Sequence, residues 1–215
     1  MIKILFEDNH LLVVEKPVNL PVNADSSLDP DLLGLLKADL KQRYRKPGNV
    51  YLGLVHRLDR PVGGIMVFAK TSKAASRLSD QIRKREMAKT YLAVVIGKTE
   101  EQGSYIDRLL KDTDKNIVRI DRQGKEAVLD YVTLSYLDGL SLVRINLITG
   151  RSHQIRVQFA GHDHPLWGDQ KYNPQAKVGQ QIALYADGLT FRHPVSNESL
   201  TFTLKPNQAP FDRFK

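Results

Sequence analysis

Cysteine is absent from the 215 residues, which excludes disulfide staples, thiolate metal sites and a cysteine nucleophile. Long apolar runs are missing too, and none approaches the roughly 18 residues that a membrane-crossing helix needs. The opening Met1-Ile2-Lys3-Ile4-Leu5-Phe6 meets Glu7 and Asp8 at once, too short and too soon acidic for a secretory leader. A cytoplasmic, membrane-free protein is expected. Internal repeats, low-complexity tracts and an evident linker are also lacking, so one domain over residues 1–215 is expected. Acidic residues are the minority, 24 against 32 Lys and Arg, giving a net charge of +8. Such an excess favours polyanions as partners through counterion release, and it fits a merely basic enzyme equally well. The positions of the charges must decide. With 41% hydrophobic and 26% charged residues, the chain has the composition of an ordinary folded domain.

The hydrophobic pattern predicts two opening strands, Ile2–Phe6 and Leu11–Val14, followed by a proline-interrupted stretch from Lys16 to Pro21. Asp29-Pro30 is expected to cap a helix with an apolar stripe of Leu32, Leu33, Leu36 and Leu40, ending at Pro47-Gly48-Asn49. A turn-like segment, His56–Gly64, leads into a buried strand, Ile65–Ala69. Thr71 or Ser72 then caps a helix reaching about Arg85, with Ala75, Leu78 and Ile82 inward. Tyr91–Ile96 reads as a strand, and Gly103–Leu147 as antiparallel structure. Its clearest signal is the hairpin Val128–Leu137 and Leu140–Leu147 about Asp138-Gly139. Ser152 is expected to cap a short helix carrying Ile155, Val157 and Phe159, and further strands are expected near Leu184, Thr190–Phe191 and Leu200–Leu204. Many strands with few interspersed helices predict an α+β fold, a mostly antiparallel central sheet with flanking helices.

Two clusters could carry chemistry. His56-Arg57-Leu58-Asp59-Arg60-Pro61 places a carboxylate between two arginines in a constrained loop. Neighbouring cations favour its ionised form, as a nucleophile or base requires. A surface salt-bridge network explains the same residues. Thr149-Gly150-Arg151-Ser152-His153-Gln154-Ile155-Arg156 follows a strand at a helix start, where Arg151 can offer its planar fork to a carboxylate or phosphate. A basic helix start that binds nothing is the alternative.

Taken together, the clusters resemble the RluA-type RNA pseudouridine synthases. His56-Arg57-Leu58-Asp59 is similar to that family's signature. The likeness continues through Lys89-Thr90-Tyr91-Leu92-Ala93, Thr149–Arg156, His164-Pro165-Leu166-Trp167-Gly168-Asp169, the opening Glu7–Pro17 and the late Leu184-Tyr185-Ala186. Its ordered motifs cover nearly the whole chain.

The resemblance implies a pseudouridine synthase catalytic fold and an isomerase that breaks the N1–C1′ bond of an RNA uridine, turns the uracil and joins C5 to C1′. Asp59 is then the essential carboxylate, adding to the ribose or base or removing a ribose proton. Tyr91 matches the tyrosine that stacks on the target base, Arg151 the arginine that pairs with the aspartate, and Ile155 the apolar pocket wall. Arg57 matches a residue that fills the space left by the flipped base, and His56 and Arg60 flank the same substrate-binding loop. The expected partner is ribosomal or transfer RNA, bound by a monomer without cofactor or metal. Because the chain opens on a catalytic-domain motif with no S4-like module, RNA contacts are expected from that domain itself. The helix bearing Lys73, Arg77, Arg83, Lys84 and Arg85 is one candidate for them. Two departures stand out. Val62-Gly63-Gly64 replaces a common Thr-Ser-Gly, and Gln158 replaces a common histidine, where a peripheral change is expected.

Two rivals have sequence support. His153, His162, Asp163, His164 and Asp169 lie close enough to suggest a metal-dependent hydrolase, although ordinary ligand spacing is lacking. An RNA-binding protein that kept the fold and lost the chemistry is the other, opposed by the intact Asp59, Tyr91 and Arg151.

Overall fold

The computed structural model describes residues 2–25 and 28–214. In chain order the elements are β1 (Lys3–Glu7), β2 (Leu11–Lys16), α1 (Leu32–Arg43), β3 (Gly53–Leu54), β4 (Gly63–Ala69) and α2 (Ser72–Arg83). They continue with β5 (Ala88–Ile96), β6 (Gln102–Asp112), β7 (Ile117–Ile120), β8 (Lys125–Leu137), β9 (Leu140–Leu147) and α3 (Gln154–Gly161). Strands β10 (Leu184–Arg192) and β11 (Ser199–Thr203) and a 3₁₀ turn (Phe211–Phe214) complete the chain. It divides into two compact units, residues 1–87 with 188–204, and residues 88–187 with 205–215. The fold is α+β with mostly antiparallel strands.

In the first unit β1, β2 and β4 lie side by side in antiparallel order, β3 pairs the end of β4, and Gly188–Arg192 of β10 pairs β11. Leu11–Val14 and all of β4 are buried without alternation, as strands covered on both faces must be. Helix α2 contributes Ala74 and Leu78 to a core shared with Leu11, Val13, Val67, Leu189 and Phe191. Its Gln81 amide forms two bonds with the Arg192 backbone, donating to the carbonyl at 2.8 Å and accepting from the N–H at 2.9 Å.

The second unit is an antiparallel sheet ordered β5-β9-β8-β6-β7. Asp138 and Gly139 form the expected hairpin tip, with φ of 50° and 77°. Along β8, Ala127, Leu129 and Tyr131 are buried while the residues between them are more exposed, so one sheet face is covered. Helix α3 does the covering, with the Phe159 ring centroid 5.0 Å from Tyr105 and 5.4 Å from Tyr131.

Four local expectations change. Helix α1 is capped by Asp31, which accepts from the Gly34 N–H at 3.0 Å, while Asp29 pairs with Arg60. The helix begins only at Leu32, so the extended residue before it, Asp31, is the one whose carboxylate reaches a free N–H group of the first turn. Helix α3 is entered through His153 in the left-handed region, with φ of 51°, and Ser152 does not cap it. The Gln154 side chain instead reaches back, accepting from the Arg151 N–H at 3.0 Å and the Thr149 hydroxyl at 2.8 Å. The two strands expected near Leu184 and Thr190 are one, because Asp187-Gly188 continues β10 rather than breaking it. Gln158 is fully buried, and its amide N–H groups bond to the Tyr105 and Ala127 carbonyls and to Asp107. Its position is central, not peripheral.

Replacing Asp31 with Ala should cost about 1 kcal/mol of stability, the typical worth of a side-chain cap. Asp29→Ala should cost no more than an exposed ion pair, about 0.5 kcal/mol. Chemical denaturation of the two variants separates the alternatives.

Candidate functional site

The loop between β3 and β4 carries His56, Arg57, Asp59 and Arg60, and the first unit brings all four together. The His56 ring accepts from the Val67 N–H on β4 through Nε2 at 3.1 Å, which leaves the ring proton on Nδ1. The half-buried Asp59 closes a tight turn, its carbonyl accepting from the Val62 N–H at 3.0 Å. Arg60 turns its guanidinium towards Asp29 and Asp25, whereas Arg57 is exposed and has no carboxylate partner among the described residues.

A residue that the sequence reading passed over holds this loop. Lys16, the last residue of β2, is fully buried, at 0% exposure. Its ammonium donates to the Pro17 carbonyl at 2.9 Å and to the Arg60 carbonyl at 3.0 Å. One side chain thereby ties the end of β2 to the peptide that follows Asp59. Burial pulls the Lys16 pKa down to about 7, against the attraction of Asp59 and with added repulsion from Arg60. The available signal was a lysine two residues after the apolar run Leu11–Val14 and directly before a proline.

The second unit carries Tyr91, Arg151 and Ile155. Tyr91 is buried on β5 opposite Ile145, which itself lies opposite Tyr131, so the three form one row across the covered face. Ile155 is buried on α3. Arg151 is exposed, and its Nε donates to the Glu126 carbonyl at 2.9 Å. The buried arginine of the cluster is Arg156, at 6% exposure. It forks onto Asp169, Nε to Oδ2 at 2.8 Å and Nη2 to Oδ1 at 2.6 Å, and its guanidinium lies 5.2 Å from the Tyr172 ring centroid. Asp169 uses two of the five N–H donors that a guanidinium carries. An arginine within the otherwise buried run from Gln154 to Phe159 was the readable sign of this ion pair.

The suspected metal ligands are turned to other partners. His153 Nδ1 meets the Tyr172 hydroxyl at 2.7 Å, His164 Nδ1 the Ile96 carbonyl at 3.0 Å, and His162 stacks on Tyr105 at 3.9 Å. Among the described residues no cluster of three such side chains could hold a metal ion.

Two predictions follow from these buried charges. Between pH 7 and the ordinary lysine value near 10.4, the unfolded chain keeps a proton on Lys16 that the folded chain has lost. Folding therefore gains from this residue as pH rises through that window, by at most about 1.4 kcal/mol per pH unit, and is unaffected by it below. Urea titrations of the wild type and Lys16→Met at pH 7 and 9 should show the wild type gaining on the variant; a constant difference would mean that the ammonium keeps its proton. Asp169→Ala leaves the Arg156 charge buried without its carboxylate and should destabilise the protein by about 3–5 kcal/mol, read from the same titration.

A family model described as RNA pseudouridylate synthase matches residues 10–161. Ribosomal large subunit pseudouridine synthase C of Buchnera aphidicola subsp. Baizongia pistaciae is 32% identical, over 97% of this chain and 67% of its own length. Ribosomal large subunit pseudouridine synthase D of Vibrio cholerae is 33% identical, over 94% of this chain and 66% of its own. The chain thus spans about two thirds of the length of these curated relatives. Among solved structures, Human RNA Pseudouridylate Synthase Domain Containing 4 superposes with a TM-score of 0.79 at 25% identity, covering 94% of this chain and 88% of that one. With most of its residues inside the family match and its motif loops formed as described, the chain belongs to the RNA pseudouridylate synthase family, in the RluA-type branch.

Proposed function

We propose that the protein isomerises uridine to pseudouridine in RNA, with Asp59 as the catalytic carboxylate. The observation that carries this reading is the Asp59 loop, tied at the Arg60 carbonyl by the buried Lys16 inside the family match. A carboxylate that must meet a sugar carbon needs a fixed backbone, and a fully buried hydrogen-bonding clamp supplies one. Ribosomal RNA is the favoured substrate over transfer RNA, because the relatives named above are ribosomal large subunit enzymes.

The target uridine has to leave its stack, at a cost of a few kcal/mol. Arg57, exposed and without a carboxylate partner among the described residues, is suited to fill the space it vacates. Asp59 then adds to the ribose or base, or removes a ribose proton, and both routes begin from the ionised carboxyl. Tyr91 stacks on the freed uracil and assists loss of the C5 proton once C5 is joined to C1′. Ile155 forms apolar wall, and His56 and Arg60 fix the loop through the Val67 N–H and the Lys16 ammonium. The reading takes the enzyme to be a cytoplasmic monomer.

The motif assigns the arginine that keeps Asp59 ionised to Arg151. Arg156, buried and oriented by Asp169, is the second candidate in the same motif.

Release of tritium from RNA labelled at uridine C5 tests the proposal. Asp59→Asn should lower turnover by more than about a thousandfold while RNA affinity and melting temperature stay near wild type. Turnover at the wild-type rate would end the assignment. If Arg156 is the partner, Arg156→Lys should lower kcat far more than Arg151→Lys; the reverse order returns the role to Arg151.

A further inference from the structure

The second unit contains a pocket of about 440 Å³ lined by Leu109, Lys111, Val118, Lys125, Arg151 and Ser152, with Gly124 and Gly150 at its wall. Its volume falls within the range of about 300–1,000 Å³ usual for ligand sites. We propose that this pocket seats the phosphodiester backbone of the RNA substrate, an inference that rests on the reading of the chain as an RNA-modifying enzyme.

Charge is the first argument. Three cations line the pocket and no acidic residue does. Among the described residues Lys111 and Lys125 pair with no carboxylate, and Arg151 gives only its Nε, to the Glu126 carbonyl. That bond fixes the plane of the guanidinium and leaves its terminal N–H groups for an oxyanion. The expected rival, helix α2, has spent much of its charge. Arg83 and Lys84 both pair with Asp80, and Arg77 donates to the Pro194 carbonyl. Cations already neutralised by neighbours release few counterions when RNA arrives.

Placement is the second argument. The register sets Lys125 opposite Leu109 and Val118 opposite Lys111, so both lysines lie on the sheet face that bears Leu109. The segment leading into α3 brings Arg151 and Ser152 to the same rim. Gly150 leaves the approach open, since a Cβ there would meet nothing closer than the Lys89 ammonium at 3.6 Å. Leu109 and Val118 give an apolar floor, suited to the ribose face between two phosphates. A pocket with these contacts reads backbone and not sequence.

The test is a set of binding titrations with uridine-containing single-stranded RNA oligonucleotides between 0.05 and 0.3 M salt, those concentrations being roughly the range where the salt slope is read. Lys111→Gln/Lys125→Gln should make the slope of log K against log salt shallower by about 1.4, and weaken binding about 25-fold at 0.1 M, equally for different sequences. Arg83→Gln/Lys84→Gln at the end of α2, which removes the two cations paired with Asp80 and the same amount of charge, should stay near the wild-type line, and melting curves confirm that both variants fold. An unchanged slope in the pocket variant, or an equal loss in the α2 variant, overturns the pocket while leaving the RNA reading intact. Wild-type protein that binds no RNA removes the RNA reading itself. Inorganic phosphate binding to the wild type as tightly as the RNA would make this a free-anion site and overturn the backbone assignment.

Discussion

One ammonium group, buried without access to water, organises the first unit. Lys16 ends a strand that opens with the fully buried run Leu11–Val14, and its two hydrogen bonds go to the Pro17 and Arg60 carbonyls. A charge so placed is costly to bury and is retained where its geometry is worth more than its cost. Here the geometry fixes the peptide next to Asp59. The loop is tied to β2 through the Lys16 bond to the Arg60 carbonyl and to β4 through the His56 bond to the Val67 N–H. Removing the clamp therefore acts on the carboxylate without touching it.

The second unit solves a comparable problem with neutral amides and one ion pair. Thr149, Gln154 and Gln158 form a relay of side chains between the sheet and α3, so that the entry to the helix is fixed by hydrogen bonds rather than by a conventional cap. The left-handed His153 is held in that conformation by its bond to Tyr172, the aromatic ring beneath Arg156. The motif from Thr149 to Arg156 is thus a folding device as much as a chemical one, which explains why its arginines divide between an exposed rim and a buried ion pair.

Much of this was legible in the amino-acid pattern. The alternation in β8, the Asp138-Gly139 tip and the unbroken apolar run of β4 each carry their structure locally, and they formed as expected. The α+β class followed from them. What could not be read was decided by partners distant in sequence. Arg156 resembles any helical arginine until Asp169 is beside it, and Lys16 resembles any lysine before a proline until the Arg60 carbonyl arrives. Resemblance supplied the candidate residues, and no periodicity could have ranked Arg151 against Arg156.

Gln158 has one more consequence. Its amide sits where an imidazole is common in the family, at the junction of β6, β8 and α3, joined to two carbonyls and a carboxylate. An imidazole in that place would gain or lose a proton within the physiological range, switching between donor and acceptor at the centre of the packing. A carboxamide has no such second state. The Gln158 side chain therefore keeps the same donors and acceptor whatever the proton concentration.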